Sequence, residues 1–214
     1  MIDVARQLFA HKGVENTTMN DIASASDKGR RTIYTYFKSK TEIFNAVVNR
    51  EAAIIVDRLA ELPDMPLPPE EKLMNFVFMR FETVKEVVSR NGSLKASFFL
   101  DVRRVDRIRR VNAPKEIIIL KQILKEGVDA GIFRIKHIDK AAEILLMAMQ
   151  GLDVHYIRNS FEDIGVSRLK LRTYLQDFIM NGIKDHHEGA PLNKPKEFSQ
   201  RNDKHLLNIN ITTL

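Results

Sequence analysis

Residues 17–40 read Thr17-Thr18-Met19-Asn20-Asp21-Ile22-Ala23-Ser24-Ala25-Ser26-Asp27-Lys28-Gly29-Arg30-Arg31-Thr32-Ile33-Tyr34-Thr35-Tyr36-Phe37-Lys38-Ser39-Lys40, and this stretch decides the fold. Thr18 with Asp21 three residues later has capping-box spacing, in which the hydroxyl takes an orphan N–H of a helix that starts near residue 19. Ile22 and Ala23 supply the buried face of that helix. Ser26-Asp27-Lys28-Gly29 offers turn-forming side chains and a glycine, which predicts a stop. A second short helix follows from Arg30, with Ile33 and Phe37 turned inward and Tyr36 at the edge. Arg30, Arg31, Thr32, Tyr34 and Thr35 are left facing outward. Ser39 with Glu42 repeats the capping spacing and opens a third helix, whose N-terminal amides and Lys40 suit a phosphate.

A short helix of this kind suits the DNA major groove. Arginine matches guanine O6 and N7, threonine a base edge or a thymine methyl, and tyrosine a phosphate oxygen. From Lys28 to Lys40 there are five lysines and arginines and no acidic residue. A charge run alone usually marks a solvated helical face. Here two caps, a turn and an outward cationic face coincide within one span, which favours DNA.

Ala5, Leu8-Phe9, Lys12-Gly13, Thr17-Thr18-Met19, Ile22-Ala23, Thr32-Ile33-Tyr34, Tyr36-Phe37 and Lys38-Ser39-Lys40 together resemble the N-terminal signature of the tetracycline-repressor (TetR) family of bacterial transcriptional regulators. The likeness covers about the first 50 residues. It implies an all-α homodimeric repressor, with a three-helix helix-turn-helix domain and a larger C-terminal helical domain for ligand binding and dimerisation. The family's usual Ala-Gly-Val-Ser at the turn is here Ser26-Asp27-Lys28-Gly29, and Asp27 can take the left-handed conformation usually given to glycine. The candidate DNA contacts are Thr17, Thr18, Arg30, Arg31, Thr32, Tyr34, Thr35, Tyr36 and Lys40. The partners implied are a double-stranded DNA operator, a second copy of the chain and a small-molecule effector.

The expected domains are 1–46 for the DNA-binding head, 47–184 for the helical body and 185–214 for an irregular tail. In the head, Val4, Ala5, Leu8 and Phe9 form one stripe of a helix that ends at Gly13. A long helix is predicted from Lys40 to about Glu61, followed by a loop through the proline-rich residues 63–69. Leu73, Phe76, Val77, Phe81, Val84 and Val88 mark the next helix, and Leu94, Phe98, Phe99, Val102 and Val105 another. The five arginines in residues 101–110 read as a solvated amphipathic face, given the two aspartates and the valine/isoleucine stripe among them. Asn112-Ala113-Pro114 reads as a new helix start, with Ile117, Leu120, Ile123, Leu124 and Val128 leading to Gly131. The run from Lys125 to Phe133 resembles the L-x-x-G-x-x-x-G-x-F segment that often precedes the last two helices of the family. Asp139 reads as the next N-cap.

The last two helices carry broad apolar surfaces, from Ala141 to Leu152 and from Leu169 to Ile183, which predicts a dimer built through them. The effector pocket expected in the body draws on Phe76, Phe98, Phe99, Leu120, Met147 and Gln150, since pockets are chiefly apolar with a few polar groups.

With 34 basic against 28 acidic residues the net charge is +6, which favours polyanionic partners. No cysteine is present, so a disulfide or thiolate metal site is excluded. The apolar runs are too short for a membrane span and the N-terminus lacks a secretory pattern, so a cytoplasmic location is expected. Phosphate-loop, dinucleotide, zinc-protease and serine-hydrolase motifs are all missing. His186 and His187 are adjacent in sequence, a spacing expected to turn their side chains apart, with no carboxylate spacing to assist them. Neither an enzyme, a cofactor nor a metal is therefore expected. The competing reading is a helical ligand-binding or protein-interaction module whose basic N-terminus meets an acidic partner rather than DNA.

Overall fold

The computed structural model describes residues 1–91 and 102–183, and all of the regular structure among them is helical. Helix α1 spans Ile2–Lys12, α2 Met19–Ala25, α3 Arg30–Tyr36, α4 Lys40–Leu59, α5 Pro69–Arg90, α6 Val102–Asp129, α7 Ile138–Arg158 and α8 Arg168–Ile183. Short 3-10 turns at Leu62–Asp64 and Glu162–Ile164 connect α4 to α5 and α7 to α8.

The first three helices and the start of α4 share one core. Ala5, Phe9, Ile22, Ile33, Ile43 and Phe44 are all but sealed from solvent, and the Phe9 and Phe44 rings meet edge to face at 5.7 Å. Burying each of the isoleucine and phenylalanine side chains contributes about 1.5–3 kcal/mol, so three short helices that would be marginal alone hold together. This core also takes in Val87 from the far end of α5. The head is therefore packed directly on the body.

The body has its own core, in which Leu73, Phe76, Val77 and Phe81 of α5 meet Leu120, Ile123 and Leu124 of α6 and Leu146 and Met149 of α7. Helix α4, about 30 Å long at 1.5 Å per residue, runs from the first core to the second. Gly127 of α6 lets the chain fold back on itself. A Cβ there would lie 2.0 Å from the Phe133 ring, and the Gly127 carbonyl accepts from the N–H groups of both Ile132 and Phe133 at 2.9 Å.

Two expected boundaries move. No helix starts at Asn112-Ala113-Pro114, because α6 runs unbroken through Pro114. An internal proline costs about 3 kcal/mol, which the sealed stripe Leu120, Ile123 and Leu124 offsets by keeping one face of the helix against α5 and α7. Asp139 is not the cap of α7 either: the helix begins after His137, and Asp139 instead pairs with Lys121 of α6. That hydrogen bond, with the charge behind it, holds the Asp139 carboxyl below its ordinary value. The tail 185–214 and the predicted stripe residues Leu94, Phe98 and Phe99 lie outside the described residues.

Candidate DNA-binding surface

The geometry of the head begins with its caps. Thr18 Oγ1 accepts from the Asp21 N–H at 3.1 Å, while Asp21 Oδ2 accepts from the Thr18 N–H at 2.8 Å and from the Thr18 hydroxyl at 2.9 Å. Both halves of the box are closed, and the first turn of α2 is fixed. These bonds, the backbone one foremost, hold the Asp21 carboxyl below its ordinary value, with burial opposing and the Lys12 charge helping.

The turn after α2 places Asp27 in the left-handed region at φ 51°. Few residues other than glycine accept that conformation, and aspartate is one of them. The Lys28 N–H then reaches back to the Ala23 carbonyl at 3.1 Å. Helix α3 starts immediately after, anchored on Ile33, which is completely buried.

With Ile33 inward, the rest of α3 points to solvent. Arg30, Arg31, Thr32, Tyr34, Thr35 and Tyr36 are all exposed, Tyr36 by 70 %. The Arg30 guanidinium lies 5.7 Å from the centre of the Tyr34 ring, a cation–π contact that steadies the side chain without using its hydrogen-bond donors. The Thr35 hydroxyl donates to the Arg31 carbonyl at 3.0 Å, which leaves its oxygen free to accept.

Helix α4 is capped by Ser39, whose Oγ accepts from the Glu42 N–H at 3.2 Å. Here the expected box closes differently, because Glu42 reaches past the cap to the Lys38 N–H at 2.7 Å. Lys40 Nζ donates to the Glu15 carbonyl at 3.2 Å. One of its three protons thus ties α4 to the loop before α2, and two remain.

Thr17 does not belong with the exposed set. Its side chain is completely buried and its hydroxyl donates to the Gly13 carbonyl at 2.8 Å. It closes the loop between α1 and α2 and cannot reach a duplex without unfolding that loop.

The residues expected to form an effector pocket are not brought together. Phe76 and Leu120 are sealed in the body core, whereas Met147 is 69 % exposed on the outer face of α7. Gln150 is half-buried on the same helix, and Phe98 and Phe99 lie outside the described residues. A groove of about 400 Å³ opens instead between α7 and α8. Its wall is apolar and includes Leu124, Ile144, Leu145, Ala148, Phe178 and Ile179.

Sequence reading missed the charged residues of the interior. Arg80 lies in the apolar stripe of α5 and is 3 % exposed. Its Nε donates to Glu116 of α6 at 2.7 Å and its Nη1 to Asp153 of α7 at 2.6 Å. Burial works against the guanidinium charge, but the two carboxylates outweigh it and hold the Arg80 pKa above its ordinary value. Glu51 of α4 is a second case, 5 % exposed within the stripe that contains Val47 and Val48. The available signal was a lone charge at an inward helical position. Among the described residues no group of three or more histidine, aspartate or glutamate side chains is placed to hold a metal.

A capped helix, a tight turn and a second helix with a cationic outer face, carried on a larger helical body, define a helix-turn-helix protein of the two-domain helical type. Residues 1–47 match the family model described as bacterial regulatory proteins, tetR family. Over that N-terminal stretch the chain is similar to the TetR family.

The HTH-type transcriptional repressor KstR2 of Mycolicibacterium smegmatis is 26% identical over 139 residues, which cover 63% of this chain and 66% of that protein. An HTH-type transcriptional regulator of Staphylococcus aureus is 34% identical over 62 residues, covering 29% of this chain and 34% of its own length. The chain thus spans just under two thirds of the first of these curated relatives and about one third of the second. A crystal structure of a transcriptional regulator from Cytophaga hutchinsonii has the same fold, with TM-score 0.67 and 22% identity over 86% of this chain and 96% of that one.

Proposed function

We propose that the chain is a sequence-specific DNA-binding transcriptional regulator, acting as a homodimer whose grip on a palindromic operator is released by a small molecule. The observation that carries this reading is the outer face of α3. Arg30, Arg31, Thr32, Tyr34 and Tyr36 are exposed together on a helix pinned by Ile33. Arg30 and Arg31 read base edges, Thr18 and Tyr36 reach backbone phosphates, and Lys40 with the amides at the start of α4 holds a further phosphate.

Dimerisation through α7 and α8 is supported by the apolar residues that a single copy leaves in water. Ile144, Met147 and Phe178 are 66 %, 69 % and 80 % exposed, and with the apolar groove beside them they form a surface that a second copy would cover. Two heads on a two-fold axis would meet half-sites about 34 Å apart, one helical turn. The effector would act by favouring a body shape in which α4 carries the heads off that spacing.

Fluorescence anisotropy with labelled duplexes tests the reading. The wild-type chain selects tight-binding sequences from a random pool, and Arg30→Ala with Arg31→Ala weakens them by about 1–3 kcal/mol for each arginine that reads a guanine. Unchanged affinity in the double variant removes α3 from the reading. Absence of any sequence-selective binding at moderate salt removes the function.

A further inference from the structure

Glu51 lies where the head meets the body, and its partners come from α1 and from the C-terminal end of α5 with its cap residue, Asn91. Its Oε2 accepts from Arg90 Nε at 2.9 Å, Arg90 Nη2 at 2.7 Å and Asn91 Nδ2 at 2.6 Å. Its Oε1 lies 3.9 Å from Arg6 Nε. Arg6 Nη1 in turn donates to Asn91 Oδ1 at 3.3 Å, and Asn91 Nδ2 also donates to the Val87 carbonyl at 2.8 Å. One buried carboxylate on α4 therefore gathers the first helix of the head and the last turn of α5.

The chemistry of this junction differs from that of the apolar core around it. Val87 packs into the head core, but apolar contact is non-directional and tolerates small rotations. Charge-assisted hydrogen bonds do not, because they weaken steeply as their angles open. Glu51 is 5 % exposed and Asn91 1 %, so water cannot readily replace these bonds when the head turns. A buried carboxylate left without them is costly. The junction thus admits few head orientations.

We infer that Glu51 is a positioning residue that fixes the angle of the head on the body and thereby sets the half-site spacing that the dimer accepts. This rests on the reading of the chain as a dimeric DNA-binding protein. Glu51 is too deeply buried to meet DNA itself and acts through Arg6, Arg90 and Asn91. In a two-fold dimer, any rotation of a head about this junction changes the separation of the two α3 helices. A rigid junction makes spacing part of specificity; a loosened one lets the heads adjust.

The experiment uses the full chain and duplexes selected from a random pool by the wild-type protein. Anisotropy is measured on the selected spacing, on the same half-sites moved apart or together by one base pair, and on a single half-site. Glu51→Gln removes the charge but keeps the shape. Its expected result is a preference for the selected spacing over the shifted ones reduced at least about fivefold, the lower end of ordinary coupling between sites, with single half-site binding unchanged. Arg90→Ala, at the more exposed edge of the junction, gives the same direction of change if Glu51→Gln fails to fold, and Arg90→Lys restores part of the preference. A folded Glu51→Gln or Arg90→Ala protein with the wild-type spacing profile overturns the inference while leaving the DNA-binding function intact. A wild-type chain that binds no duplex overturns both.

Discussion

Arg80 grips Asp153 end-on: Nη1 donates to Oδ1 at 2.6 Å and Nη2 to Oδ2 at 3.2 Å, with neither residue more than 3 % exposed. The remaining nitrogen, Nε, holds Glu116, so a single guanidinium ties α5 to both α6 and α7. Removing one member of such a buried cluster leaves an uncompensated charge, whereas replacing the whole cluster by apolar groups can be neutral. We expect Arg80→Met to lower unfolding stability by about 3–5 kcal/mol, and Arg80→Met with Glu116→Leu and Asp153→Leu to recover most of that loss. Urea unfolding of the two proteins checks this. A triple variant no more stable than the single one would show that the ionic geometry itself is required.

Gly127 faces a ring that has no room to retreat. With Phe133 97 % buried and a Cβ destined to lie 2.0 Å from it, Gly127→Ala overpacks the joint between α6 and α7. The expected cost is about 1–3 kcal/mol, read as a fall in Tm, and Phe133→Leu in the same chain relieves part of it. An alanine variant as stable as wild type would mean that the ring moves freely.

Asp27 carries a left-handed backbone that glycine adopts without strain. Asp27→Gly relieves part of a penalty of about 1–2 kcal/mol and adds back about 0.5–1 kcal/mol of unfolded-chain entropy, so a gain near 0.5 kcal/mol is expected. It also deletes a negative charge from the turn beside the cationic face. Affinity for duplex DNA should therefore rise at low salt and converge with wild type as salt increases. A fall in Tm would contradict the first part, and a salt-independent change in affinity the second.

The capping box gives the head an acid limit. Because the folded Asp21 carboxyl sits below its ordinary value of 3.8, its contribution is fully present above that value and disappears as pH falls through the lower, folded one. Asp21→Asn lacks this charge at every pH. Helicity followed by circular dichroism during acid titration should show wild type more stable than the variant near neutrality, with the difference shrinking below pH 3.8. A constant difference across the titration would assign the effect to something other than ionisation.

Phe178 on the α7–α8 face is 80 % exposed. Phe178→Glu places a charge on each side of the proposed two-fold contact, and sedimentation should shift from dimer to monomer. Operator affinity should fall towards that of a single head. A variant that remains dimeric would move the interface elsewhere on the molecule.

The head was largely legible because its signals are local. Thr18 and Asp21 are three residues apart, and Ile22, Ile33 and Phe9 could be placed inward from helical period alone. Thr17 was misjudged for an equally local reason: the cap assigns Thr18 outward but says nothing of how the loop from Gly13 folds under it. In the body, the stripes from Leu73 to Val88, from Ile117 to Val128, from Ala141 to Leu152 and from Leu169 to Ile183 fall on helices, while Leu94, Phe98 and Phe99 lie outside the described residues. Phe76, Leu120 and Met147 could not be sorted into core, pocket and surface, because periodicity says that a residue faces inward without saying what lies opposite.

What the sequence determined by itself is a capped helix-turn-helix with its arginines outward, followed by a set of long amphipathic helices. Those features depend on backbone capping, turn conformation and a period of 3.6, all settled within a few neighbouring residues. Only the tertiary structure decided that Glu51 would meet Arg90 and Asn91, that Arg80 would meet Asp153 73 positions away, and that the open groove would lie between α7 and α8. An amphipathic helix must bury its apolar face, but many partners would satisfy that demand. The choice falls to the directional bonds of the few charges carried inside with it.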